Sequence, residues 1–169
     1  MLKTRVGKSV ASLEKIVDSS FTNVCDSYNK FINHSDKLIF DSQINLYSKL
    51  KETIKSDFDK ITKIRKSINT EFDSVCYEIL TIVNPVELSS SNARELYHQM
   101  LKGDTLESNR TTPIRYFEIK KIKELESDLS LLKSFERYCY NIQDQIQKLD
   151  NEMIDIVTKT AKNESIEWA

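Results

Sequence analysis

The chain has 169 residues, 30% of them charged and 39% hydrophobic, with a net charge of −1. That is the size of one domain, or of a compact part with an extension. A near-neutral balance sets up no global field to gather nucleic acid or an anionic membrane. Only two glycines and two prolines occur, which leaves little loop on which to build a chemical site.

Gly7, Pro85, Gly103 and Pro113 are the strong helix breakers, and they leave 1–33, 36–83 and 114–162 as long stretches with nothing to end a helix. In the first stretch Val6, Val10, Leu13, Val17, Phe21, Val24, Tyr28 and Phe31 recur at steps of three and four. That is a helical stripe and not a strand alternation. Asn33-His34-Ser35-Asp36 predicts a turn, with Ser35 or Asp36 capping the next helix through a side-chain oxygen.

The second stretch carries Tyr47, Leu50, Ile54, Phe58, Ile61, Ile64, Ile68, Phe72, Val75, Ile79 and Ile82, at a mean step of about 3.5, the coiled-coil value. It stops at Asn84-Pro85, where proline removes an amide donor and clashes with the preceding turn. Ser67, Asn69 and Thr70 are weak helix formers and leave open whether this helix bends.

Residues 84–113 read as a connector. Asn92 with Glu95 resembles a capping box and opens a short helix near 93–102 that ends at Gly103. Thr112 and Pro113 then predict a cap and a first helical position. The third stretch has Ile122, Leu125, Leu129, Leu132, Phe135, Cys139, Ile142, Ile146, Leu149, Met153 and Ile156. A doubled step of three at Leu129-Leu132-Phe135 is a stammer in a coiled-coil seam. Asn163 to Ala169, with Trp168, is expected to fray.

No phosphate-binding glycine loop, nucleophile elbow or zinc-protease motif is present. His34 and His98 lack partners at chelating spacing and read as turn or surface histidines, so no metal and no cofactor is expected. Cys25, Cys76 and Cys139 are far apart and odd in number, which suits reduced core thiols. Ser89–Ser91 reads as a capping loop and is also a candidate phosphorylation target. With no leader expected, the sequons at Asn33, Asn109 and Asn163 read as chance. Met1 is followed by polar residues and no run of about 18 apolar residues occurs, so neither secretion nor a membrane span is expected. The lysine clusters at 60–66 and 120–123 are interleaved with acids and read as solvated faces.

An exposed stripe of about ten large apolar residues on the third helix would cost ~15–30 kcal/mol of lost burial, more than the ~5–15 kcal/mol that holds a domain together. The stripe must be covered. The first helix is the shorter by about 15 residues and the connector is long for a tight bundle. The expectation is therefore an all-α chain, elongated, made of a helical hairpin (1–83), a connector (84–113) and a coiled-coil arm (114–169), completed by other coiled-coil chains. A self-contained three-helix bundle is the alternative.

Leu13-Glu14-Lys15-Ile16-Val17, Tyr28-Asn29-Lys30-Phe31, Ile39-Phe40-Asp41, Asp57-Phe58-Asp59-Lys60-Ile61 and Glu95-Leu96-Tyr97-His98, in that layout, resemble the polyamine-modulated-factor-like subunit of the kinetochore MIND linker complex. The resemblance implies a non-enzymatic structural subunit, nuclear or cytoplasmic, that helps join the centromere to the microtubule-binding outer kinetochore. Its hairpin would enter a four-helix head through Tyr28, Phe31, Phe58 and Ile61. Its third helix would enter a stalk through Leu129, Leu132, Ile146, Leu149 and Met153. Partners would be an obligate set of coiled-coil subunits, with no small-molecule substrate and no direct nucleic acid. A subunit of a vesicle-tethering complex and a stand-alone three-helix binding module are the competing expectations.

Overall fold

The computed structural model describes residues 4–83, 93–101 and 115–167, the side chains of the last two excepted. Four helices make up the described chain: α1 (Arg5–Ser35), α2 (Phe40–Val83), α3 (Ala93–Leu101) and α4 (Tyr116–Glu167). No strand occurs among the described residues, so the all-α class is what the chain adopts. The stripes read from sequence are the buried faces, with Val17, Val24, Phe31, Ile61, Leu132 and Met153 each fully enclosed.

Helix ends show where sequence and structure part. Thr4 caps α1, its hydroxyl accepting from the Gly7 amide at 3.0 Å. The interruption at Asn33–Ser35 is the last turn of α1 and not yet a loop. Ser35 does not cap α2; its carbonyl accepts from the Gln43 side chain at 2.8 Å and from the Leu38 amide at 3.1 Å. The first amide of α2, that of Phe40, donates instead to Glu164 of α4 at 2.9 Å. At the start of α3 the Arg94 amide donates to Asp73 of α2 at 3.1 Å. At the start of α4 the Arg115 amide donates to Glu118 at 3.1 Å, the return half of a capping box. The expected caps at Asn92 and Thr112, with Pro113, the serines 89–91 and Trp168, lie outside the described residues. α2 is one continuous helix through Ser67–Thr70. α4 continues past Asn163 to Glu167 where fraying was expected, and the Glu164 cap gives those residues a reason to stay helical.

The chain divides into two compact units, one of Met1–Ser12 with Ile64–Arg137 and one of Leu13–Lys63 with Tyr138–Ala169. In the first unit Val6 and Val10 of α1, Ile68, Phe72, Val75 and Cys76 of α2, and Leu125, Leu129, Leu132 and Phe135 of α4 are buried. Thr4 donates to Asp128 across α1 and α4 at 2.8 Å. α3 adds buried Ala93 and Tyr97. It is pinned by Arg94, whose guanidinium lies 4.0 Å from the Phe72 ring centre and bonds Asn69 at 2.7 Å and Glu136 at 3.2 Å.

In the second unit α1 and α4 run parallel and α2 runs antiparallel to both. Tyr138 donates to Asp18 and Tyr28 to Glu152, ascending both helices together. Tyr47 and Lys51 meet Asp150, whereas Phe58 and Thr62 meet Gln143, a descending order. Val17, Val24, Phe31, Ile54, Ile61, Ile146 and Met153 fill the centre.

These contacts replace the expected layout of a hairpin with a separate arm. In each unit α4 lies against the hairpin, and its apolar stripe is covered by the chain's own helices. The length mismatch that argued against self-coverage left out α3, whose Ala93 and Tyr97 pack in the first unit.

Candidate helix-docking groove

Asp150 organises the α2–α4 seam of the second unit. It is 3% exposed and accepts from the Tyr47 hydroxyl at 2.9 Å and from Lys51 at 2.6 Å. A buried carboxylate needs such partners, because losing its hydration is costly. Burial raises the Tyr47 phenol above its ordinary value, and the hydrogen bond to Asp150 adds to the shift. For Lys51 burial pulls downward, but the bond to and charge of Asp150 prevail and hold it raised. Gln143, also buried, donates to Thr62 at 2.8 Å and to the Phe58 carbonyl at 3.2 Å. These polar ties fix the register of α2 on α4, which apolar contacts alone leave loose.

Above this seam lies a groove of about 350 Å³. Ile54, Phe58 and Ile146 give it apolar surface, and Lys51, Lys55, Asp59, Gln147 and Asp150 complete its walls. On α2, Ile44, Lys51 and Phe58 recur every seven residues; on α4, Tyr140, Gln147 and Ile154 do the same. Residues at that spacing share a helix face. Ile44 is 38% exposed, Tyr140 48% and Ile154 40%. A helix pair thus presents two rows of half-exposed apolar side chains along a polar-walled trough, the form in which an amphipathic helix is received.

No family model, curated protein or solved structure matches this chain. The functional reading therefore rests on the geometry. Among the described residues no group of three His, Cys, Asp or Glu is placed to hold a metal ion, and no helix is long and apolar enough to cross a membrane. His98 is exposed on α3, with its ring stacked on Phe72 at a centroid distance of 6.4 Å. None of the three cysteines is in a disulfide, and burial pushes Cys76 up to about 12, far from the thiolate form that reactive cysteines need.

Of the nine residues expected to face partners, Phe31, Ile61, Leu129, Leu132, Ile146 and Met153 are buried in the chain's own core. Tyr28, Phe58 and Leu149 are half-exposed. Tyr28 is engaged with Glu152, and Phe58 and Ile146 are the members that line the groove. Sequence reading missed Ile44, Tyr140 and Ile154. The seven-residue repeat of Tyr140, Gln147 and Ile154 was the available signal, but it flanks a stronger stripe and is broken by glutamine.

Proposed function

We propose that the chain is a non-enzymatic structural subunit that receives a helix of another chain in the α2–α4 groove of its second unit. The single observation behind this reading is the double row of half-exposed apolar residues, Ile44 and Phe58 on α2 with Tyr140 and Ile154 on α4. A fourth helix laid there completes a four-helix arrangement, and fully burying each such side chain is worth ~1.5–3 kcal/mol. Because the stripe of α4 is already covered, the partner stabilises an assembly and is not required for the chain to fold. The kinetochore linker complex is the setting favoured by the residues that resemble its polyamine-modulated-factor-like subunit, with action in chromosome segregation in the nucleus.

Affinity capture from native cells with the wild-type chain and with Tyr140→Glu and Ile154→Glu tests the reading. Coiled-coil kinetochore chains captured by the wild type and lost with both variants support it. Capture of vesicle-tethering subunits moves the setting to trafficking and leaves the groove in place. Capture undiminished by both substitutions overturns the groove.

A further inference from the structure

α3 shows how the chain itself seats a short helix on α2 and α4. In the first unit α3 buries Ala93 and Tyr97. The Arg94 guanidinium and the His98 ring, one turn apart, lie at 4.0 and 6.4 Å from the Phe72 ring centre. The Arg94 amide donates to Asp73 at 3.1 Å, and its guanidinium donates to Asn69 at 2.7 Å and to Glu136 at 3.2 Å. One ring, two acids and one side-chain amide therefore hold an arginine at the start of a helix.

Three of these four groups recur in the groove of the second unit. Fourteen positions back along α2, Phe72 and Asp73 are matched by Phe58 and Asp59, and Asn69 by Lys55. α4 runs antiparallel to α2, so the matching shift there is fourteen positions forward, and Glu136 is matched by Asp150. All four counterparts line the groove. Fourteen residues are two heptads, over which a helix face drifts by only ~40°. Heptad spacing keeps the face but does not dictate the residue types. Here the ring and both carboxylates return with it.

Two lysines distinguish the groove from the α3 seat. Lys55 stands where Asn69 supplies an acceptor. It is exposed, and its long stem lets the ammonium turn to solvent. Lys51 already bonds Asp150, with a side chain that is 42% exposed. A guanidinium offers that carboxylate a planar fork that an ammonium lacks, so it can displace Lys51.

We propose that the helix received by the groove opens as α3 does, with a small residue, an arginine beside it and an aromatic residue one turn further on. The arginine lies on Phe58 and bonds Asp150, and Asp59 accepts from an amide of the first turn. This names the partner's chemistry and rests on the reading of the groove as a helix receptor.

NMR titration of the full chain with a peptide of the α3 sequence, Ala93–Leu101, tests it. A staple through positions 95 and 99, both exposed, holds the peptide helical, because nine residues are too few alone. Amide shifts are expected around Phe58, Asp59 and Gln147, with a Kd below about 1 mM. Arg94→Ala in the peptide weakens binding about tenfold. In the chain, Asp59→Asn weakens it and Lys55→Asn, which restores the acceptor, tightens it, each by about threefold or more. Three results overturn the proposal: no shift at these positions up to about 5 mM peptide, binding indifferent to Arg94→Ala, or shifts only around Phe72, where the peptide replaces the chain's own α3. A peptide that fails while native capture is still lost with Tyr140→Glu and Ile154→Glu separates the two readings: the groove stands and the arginine rule falls.

Discussion

Glu164, in the last turn of α4, accepts a hydrogen bond at 2.9 Å from the amide of Phe40, the first residue of α2. The two are 124 positions apart in sequence. A helix N-terminus leaves several amides without partners, and a carboxylate there also meets the positive end of the helix dipole.

Glu164→Ala is expected to cost about 0.5–2 kcal/mol and to speed hydrogen exchange at the first amides of α2. Glu164→Gln keeps an acceptor and loses the charge, so it falls between. Urea denaturation with exchange readout by mass spectrometry checks both.

The Glu164 cap also shows what sequence withholds. The apolar stripes were legible, since Val17, Val24 and Phe31, or Ile146 and Met153, recur at helical spacing and are buried as read. A stripe states that a face is covered but not by what. Leu132 and Ile146 therefore read equally well as a stalk facing another chain and as a core facing α1 and α2. Caps supplied from a distant helix, as by Glu164 and Asp73, have no local signature. Ser20 and Ser27 are buried in α1 at seven-residue spacing, and serine as a residue type carries no signal of burial. The groove was the least legible, because its rows flank the core stripes and mix apolar with polar residues.

Asp150 holds two donors, Tyr47 and Lys51. Asp150→Ala is expected to destabilise the chain by about 1–3 kcal/mol, mainly through the Tyr47 bond, because Lys51 is 42% exposed and solvent screens its pair. Removing Lys51 alone should cost less. Paired denaturation curves of D150A, K51A and the double variant separate the two contributions.

Alkaline titration tests the tyrosine ties. The hydrogen bond to Asp18, with burial, raises Tyr138 from 10.0 to about 12. Tyr28 is raised chiefly by its bond to Glu152. A raised folded-state pKa contributes stability that is complete below the unfolded value and lost as pH climbs through the folded one. Stability should therefore hold to about pH 10 and fall between about pH 10 and 12. Phenolate absorbance should show a late-titrating tyrosine that disappears in Tyr138→Phe.

Arg94 anchors α3 through Phe72, Asn69 and Glu136. A nine-residue helix is not stable in isolation, so Arg94→Ala should release α3 to fast exchange while α1 stays protected. Lys at the same position lacks the planar fork and should restore little. Residue-resolved exchange decides between release and retention.

The central claim is that the chain closes its own core with α4 and keeps the groove for a partner. Native-state hydrogen exchange on the isolated chain tests it most directly. Amides around Ile142–Val157 of α4 should exchange only with global unfolding, at the same free energy as those around Ile54–Ile61 of α2. Fast exchange in α4 with α1 and α2 still protected would contradict the account and return α4 to the role of an arm awaiting another chain.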